Sequence, residues 1–205
     1  MESDKKPQKT QEIQKNRNRP FLLLDRDGTI IAEKNYLSDP DEVEIIPGVI
    51  EGLTRLQAEG FGFVVVTNQS GIGRGYFTEE NMRSVNNRMC ELLAQFGIVI
   101  DGIFFCPHHP DAKCFCRKPA PGMVRKAMDE LGFSIKNTAL VGDKSCDIEL
   151  GKSLGLTSIL VKSGYGSEQE PFLVNTADYI AKDMADAAFW LIEVSTFKPE
   201  QHQPE

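Results

Sequence analysis

Two aspartates one residue apart, Asp25 and Asp27, close the apolar run Phe21-Leu22-Leu23-Leu24, and Gly28-Thr29 follows at once. Crowded carboxylates repel unless a cation joins them or one keeps a proton, so the pair is a candidate for metal-assisted or acid–base chemistry. The plainer reading of this stretch alone is a strand followed by an Asp-Gly turn. Context decides between the two. Thr67-Asn68 closes a second apolar run, Phe63-Val64-Val65-Val66, and Gly142-Asp143 closes a third, Thr138-Ala139-Leu140-Val141. Arg117-Lys118-Pro119 lies between them, and Asp147 lies four residues past Asp143 near a helix start.

A second cluster has softer ligands. Cys106, His108, Cys114 and Cys116 can close a tetrahedral Zn2+ site with no open position, which is the structural kind. Thiolates favour Zn2+ over Mg2+, so this metal is expected to be separate from any cation at the carboxylates. The spacing is shorter than that of a standard zinc finger, His109 is an adjacent alternative ligand, and free thiols without metal are the plainer reading. Cys90 and Cys146 stand apart.

These residues need elements to hold them. A short apolar run suits a buried strand, and side chains alternate along it, so Asp25 and Asp27 share an orientation if the strand continues that far. Strands are expected at 21–24, 63–67, 101–105, 138–143, 158–161 and 179–180. Helices are expected from Val49 to Gly60, from Thr78 through Leu93, over 121–131 ending at Gly132, over 146–154 ending at Gly155, and around 184–194. Residues 30–46 read as an irregular excursion with a small hairpin, and Asn68 to Tyr76 as a glycine-rich loop. Alternating strands and helices imply an α/β fold, a Rossmann-like parallel sheet with helices on both faces in three layers. In such a sheet the strands' carboxyl ends converge on one crevice. Chemistry at four strand ends therefore favours the catalytic reading.

Composition sets the remaining bounds. A chain of 205 residues with 40% hydrophobic and 26% charged residues is expected to form one ordinary soluble domain. The expected organisation is a disordered polar tail over 1–19, a single domain over 20–195 and a frayed end over 196–205. A net charge of -7 argues against general nucleic-acid binding. No run approaches a membrane span and no apolar leader opens the chain, so the expectation is a cytoplasmic monomer acting on a small molecule.

Asp25-x-Asp27-Gly28-Thr29, Thr67-Asn68, Lys118-Pro119 and Gly142-Asp143-x-x-x-Asp147, in that order, resemble the four signature motifs of the haloacid-dehalogenase-like phosphatases. The resemblance runs from about Phe21 to about Gly166. It implies phosphomonoester hydrolysis through an aspartyl-phosphate, with Asp25 as nucleophile and Asp27 as acid and base. It also implies that Thr67 and Lys118 hold the phosphate, that Mg2+ sits on Asp25, the Asp27 carbonyl and Asp143, and that Asp147 supports the site or caps its helix. The cysteine–histidine loop resembles that of the subgroup containing the D-glycero-D-manno-heptose 1,7-bisphosphate and histidinol-phosphate phosphatases, which implies zinc on Cys106, His108, Cys114 and Cys116.

Thr67-Asn68-Gln69-Ser70-Gly71-Ile72-Gly73-Arg74-Gly75 and Cys116-Arg117-Lys118-Pro119-x-Pro121-Gly122-Met123 are most like the heptose group. That likeness implies a sugar bisphosphate substrate met by Glu33, Lys34, Asn35, Tyr36, Asn68, Gln69, Ser70, Arg117 and Lys144, and a role in lipopolysaccharide core synthesis. The short stretch between His108 and Cys114 is like the histidinol-phosphate group and keeps that alternative open. A metal-stabilised binding domain without activity is a third reading, which the presence of Asp25, Asp27, Lys118 and Asp143 opposes. The spaces between motifs leave no room for a large cap domain.

Overall fold

The structure, a computed structural model, describes residues 18–193. The expected N-terminal tail lies outside these residues up to position 17, as do the expected C-terminal end and Val194 of the last helix. Arg19, assigned to the tail from sequence, belongs to the folded part. Its guanidinium donates to Asp101 at 2.8 Å and to the carbonyls of Gly60 and Phe61.

Six strands form one sheet: β1 (Phe21–Leu24), β2 (Gly62–Asn68), β3 (Gly102–Cys106), β4 (Thr138–Gly142), β5 (Thr157–Val161) and β6 (Tyr179–Ala181). Their order is β3-β2-β1-β4-β5-β6, and every pairing is parallel. The strands are apolar end to end because both sheet faces are covered. Leu22 and Leu24 of β1 face a core shared with α1 (Val49–Ala58), α3 (Glu79–Ala94) and α7 (Met184–Glu193). Phe21 and Leu23 face the opposite core, built with α4 (Gly122–Leu131) and α5 (Ser145–Leu154). One four-residue strand thus seeds both layers.

Local signals account for the helix ends. Thr78 caps α3 in a reciprocal box with Asn81. Gly132 and Gly155 end α4 and α5 in the left-handed conformation.

Three features differ from the sequence reading. The glycine-rich loop contains a single helical turn, α2 (Ser70–Gly73). The expected hairpin over 30–46 is one antiparallel bridge, Ile31 opposite Ile45, flanked by two backbone hydrogen bonds. Residues Gly166–Leu173 form an additional helix, α6, which Pro171 and a weak apolar pattern conceal in the sequence. Among the described residues no helix is long and apolar enough to cross a membrane.

Candidate active site

Parallel pairing carries the carboxyl ends of β1, β2 and β4 to the same edge. Leu24 lies opposite both Val65 and Val141, and the Asp25 N–H donates to the Val141 carbonyl at 3.0 Å. Asp25 therefore begins just past the strand, where the chain turns. The Arg26 carbonyl accepts from Ile30 and Ile31, and Gly28 donates to Ile31 at 2.7 Å. Gly28 has φ +82°, and a Cβ there would lie 2.2 Å from Asp143 Oδ2. Gly164 approaches the same oxygen from the other side, with φ +54° and a Cβ position 2.3 Å from it. Two backbone turns thus close on Asp143, and a side chain at either would displace its carboxylate.

Two carboxylates meet one ammonium on the floor of the cleft. Lys118 is 3% exposed. Its Nζ lies 2.8 Å from Asp25 and 2.7 Å from Asp147, and it donates to the Val66 carbonyl at 2.7 Å. Burial works against its charge, but Asp147 and Asp25 outweigh burial and raise its pKa. The lysine therefore stays protonated at any working pH. Its backbone is gripped by Asn68, whose side chain accepts from Lys118 N–H and donates to Lys118 C=O. Asp147 Oδ2 accepts from the Lys144 N–H at the start of α5, so it both caps the helix and pairs with Lys118.

Burial, and then the charge of Asp25, push Asp143 up to about 7, and burial pushes Asp147 up to about 6. Carboxylate oxygens of Asp25, Asp143 and Asp147 lie within 4.8 Å of one another. Asp143 Oδ1 is buried with no hydrogen-bond partner. A buried, unpartnered carboxylate oxygen beside a second carboxylate fits a hard divalent cation, which would supply the missing contact and neutralise the crowding.

Asp27 is held differently. Its Oδ2 accepts from Gln69 Nε2 at 2.8 Å, and Arg26 donates to both of its oxygens. The same Gln69 nitrogen donates to the Thr67 hydroxyl.

A cavity of about 360 Å³ opens above these groups. From the first loop, Asp25, Asp27, Glu33, Asn35 and Tyr36 line it; from the second, Thr67, Asn68, Gln69 and Ser70; from the later motifs, Arg117, Lys118 and Lys144. Lys34, expected in the substrate site, does not line the cavity, and its Nζ pairs with Glu44 at 2.7 Å.

Tyr165 and Cys146 also line the cavity, and sequence reasoning passed over both. Tyr165 donates its hydroxyl to Asn35 and lies under Lys144, whose Nζ is 4.7 Å from the ring centre. Lys144 in turn pairs with Glu33 at 2.9 Å. No motif signals Tyr165, which follows β5 in a turn that only the fold brings to the site. Burial, then Asp147, push the Cys146 thiol up to about 12, so it stays protonated and unreactive.

Beside this cleft, Cys106, His108, Cys114 and Cys116 converge. Their sulfurs are 3.2–3.4 Å apart, and His108 Nδ1 is 3.1 Å from Cys116. A tetrahedron with Zn–S bonds of about 2.3 Å has edges of roughly 3.8 Å, so the cluster is near that geometry. His109 turns away and accepts from Asp111 N–H. Burial raises the Cys106 thiol to about 12. At Cys114 burial acts in the same direction, but hydrogen bonds from Cys116 and Cys106 and from the backbone bring it down to about 6. The cluster can hold a metal, and Arg117 and Lys118 follow its last ligand directly.

The HAD-hydrolase-like family matches residues 115–187. A D-glycero-beta-D-manno-heptose-1,7-bisphosphate 7-phosphatase of Yersinia pestis is 41% identical over 176 residues, spanning 82% of this chain and 92% of that protein. The phosphatase of the same name from Escherichia coli K12 is 39% identical over 82% of this chain and 91% of its own. Among solved structures, D,D-heptose 1,7-bisphosphate phosphatase from B. bronchiseptica, complexed with magnesium and phosphate, superposes with a TM-score of 0.79 at 33% identity. The match covers 85% of this chain and 98% of the other. With its motifs gathered at one sheet edge and relatives matched over nearly their full length, the chain belongs to the haloacid-dehalogenase-like superfamily of phosphatases.

Proposed function

We propose that this phosphatase removes the C7 phosphate of D-glycero-β-D-manno-heptose 1,7-bisphosphate, leaving the 1-phosphate. The carrying observation is a cleft with two separate cationic features. Lys118 is buried against Asp25 on its floor, and in its wall Arg117 keeps Nη1 buried without a hydrogen-bond partner. An unpaired buried guanidinium nitrogen is costly unless an anion meets it, and a bisphosphate offers a second phosphate to do so. The names of the relatives supply the sugar and its anomer.

In the proposed reaction Asp25 attacks phosphorus, the P–O bond to C7 breaks, and the departing alkoxide takes a proton from Asp27. Asp27, now a carboxylate, removes a proton from the water that cleaves the aspartyl-phosphate. Lys118 and the Thr67 hydroxyl hold phosphate oxygens, while Glu33, Asn35, Tyr36, Gln69, Ser70 and Lys144 shape the sugar side of the cleft. Asp25, the Asp27 carbonyl and Asp143 would hold Mg2+, which when bound supplies charge neutralisation to the phosphate. Turnover of the β-bisphosphate is expected to exceed that of the α-anomer and of histidinol phosphate in parallel kinetic runs. Faster hydrolysis of histidinol phosphate would overturn the substrate assignment.

Zinc on Cys106, His108, Cys114 and Cys116 is proposed to brace the segment that aims Arg117 and Lys118. The protein as purified is expected to carry one equivalent of zinc. Stripping it with a chelator selective over magnesium is expected to lower both thermal stability and turnover, with recovery on adding zinc and not on adding magnesium. Elemental analysis with no zinc, or unchanged melting and turnover after stripping, would count against the bracing role.

A further inference from the structure

Arg26 is a charged side chain only 1% exposed, and the proposed chemistry gives it no task. It lies past the end of β1, where alternation along the strand no longer governs direction, and it folds back beside its neighbour. Nε donates to Asp27 Oδ1 and Oδ2 at 3.2 and 3.1 Å, and Nη2 donates to Oδ1 at 2.9 Å. The other end of the guanidinium is equally committed: Nη1 donates to Asn86 Oδ1 at 2.8 Å. Asn86 is 6% exposed and sits on α3 among Met82, Val85 and Met89 of the apolar stripe. Its amide nitrogen faces Met82 Sδ at 2.9 Å. An asparagine buried on an apolar helix face costs stability unless its polar atoms are used, and among the described residues its oxygen accepts from Arg26 alone.

We infer that Asn86 and Arg26 are positioning residues: a strut running from the core of α3 through the guanidinium to the carboxylate of Asp27, setting the direction in which it meets the leaving oxygen. A planar guanidinium bound at both ends leaves its partner little angular freedom. A proton-transfer group must sit within hydrogen-bond reach of the atom it serves, so a small rotation of Asp27 removes its benefit. The strut rests on the proposed acid role of Asp27 and goes beyond it by naming what aims the acid.

Two substrates separate aiming from folding. A sugar alkoxide needs a proton to leave, whereas p-nitrophenolate leaves without one. Asn86→Leu removes the acceptor at nearly constant volume, and Asn86→Asp keeps an acceptor for Arg26. For the heptose bisphosphate, kcat/KM of N86L is expected to fall by about ten- to a hundredfold, a fraction of what general acid catalysis supplies. For p-nitrophenyl phosphate it is expected to change less than threefold, and N86D is expected to recover most of the loss. Should N86L fail to fold, Asn86→Gln, which displaces the amide oxygen by one methylene, carries the same comparison.

Equal losses on both substrates, no loss on either, or N86D no better than N86L would each overturn the strut. Asp27→Asn is the control. In kcat/KM, which stops short of the hydrolysis step that Asp27 also serves, a selective loss there with parent-like N86L overturns the strut alone, whereas an unselective loss in D27N overturns the acid role beneath it.

Discussion

Asp25→Asn is expected to abolish turnover, by on the order of 10⁴-fold or more, and to leave the protein folded. The amide is nearly isosteric and can still accept from Lys118, but it cannot attack phosphorus. The stability of the metal-free variant provides a second readout. Asp143 is pushed up to about 7 first by burial and then by the charge of Asp25. A carboxyl whose folded pKa exceeds its unfolded value, about 3.9, binds its proton more tightly in the folded chain. The contribution of Asp143 to the stability of the metal-free parent is therefore fully present below that unfolded value and is lost as pH rises from about 4 toward about 7. Removing the charge of Asp25 weakens the second cause, so D25N is expected to lose less stability over the same window. Thermal melts of both proteins without divalent cations, at several pH values, test this. A steeper decline in D25N would contradict it, and phosphate release by a clean preparation of D25N would remove Asp25 as the nucleophile.

Lys118→Met is expected to be the most damaging single change to both function and fold. It removes the cation between Asp25 and Asp147 and leaves two buried carboxylates without their partner, a situation that typically costs about 3–5 kcal/mol. In a domain of this size that corresponds to a melting point lowered by roughly 6–20 °C. Phosphate capture is lost as well, so turnover should be undetectable. Arginine is not expected to rescue it, because a planar fork does not fit a socket built for a compact ammonium donating to the Val66 carbonyl and two carboxylates. Adding Asp147→Asn to K118M is expected to return part of the stability and none of the activity. Simple additivity of the two stability changes would mean that they are not coupled through the ion pair.

Surface ion pairs such as Arg55–Glu51 and Arg83–Glu79 make no comparable claim. Exposed pairs of this kind contribute little, and their loss is expected to pass almost unnoticed.

The place of the site was legible because Asp25, Thr67 and Asp143 each close an apolar run, and the reaction class followed from the resemblance of the ordered motifs to those of the haloacid-dehalogenase-like phosphatases. Phe21–Leu24, Phe63–Val66 and Thr138–Val141 are too uniformly apolar for anything but a sheet covered on both sides, and a parallel sheet delivers its carboxyl ends to one edge. Asp25, Thr67 and Asp143 could be placed together from that alone. The cysteine–histidine cluster was equally legible, since three sulfurs and an imidazole within a few residues of one another have few other uses.

What lay beyond the strand ends was not legible. Periodicity says which face a residue takes within an element, but nothing about a turn, where backbone hydrogen bonds and neighbouring loops set direction. Arg26 doubling back onto Asp27, Asn68 clamping the Lys118 backbone and Lys34 reaching Glu44 all lie in such segments. Tyr165 is remote from every motif and reaches the cleft only because the turns at Gly28 and Gly164 close together over Asp143. The sequence by itself determined the sheet, the converging carboxylates and the cysteine–histidine cluster, because strand pairing and side-chain chemistry depend on residue type. Only the tertiary structure decided how the carboxylates are held, since the aim of a buried side chain depends on partners distant in sequence. Asn86 and Asp27, tied through one guanidinium, are the clearest case.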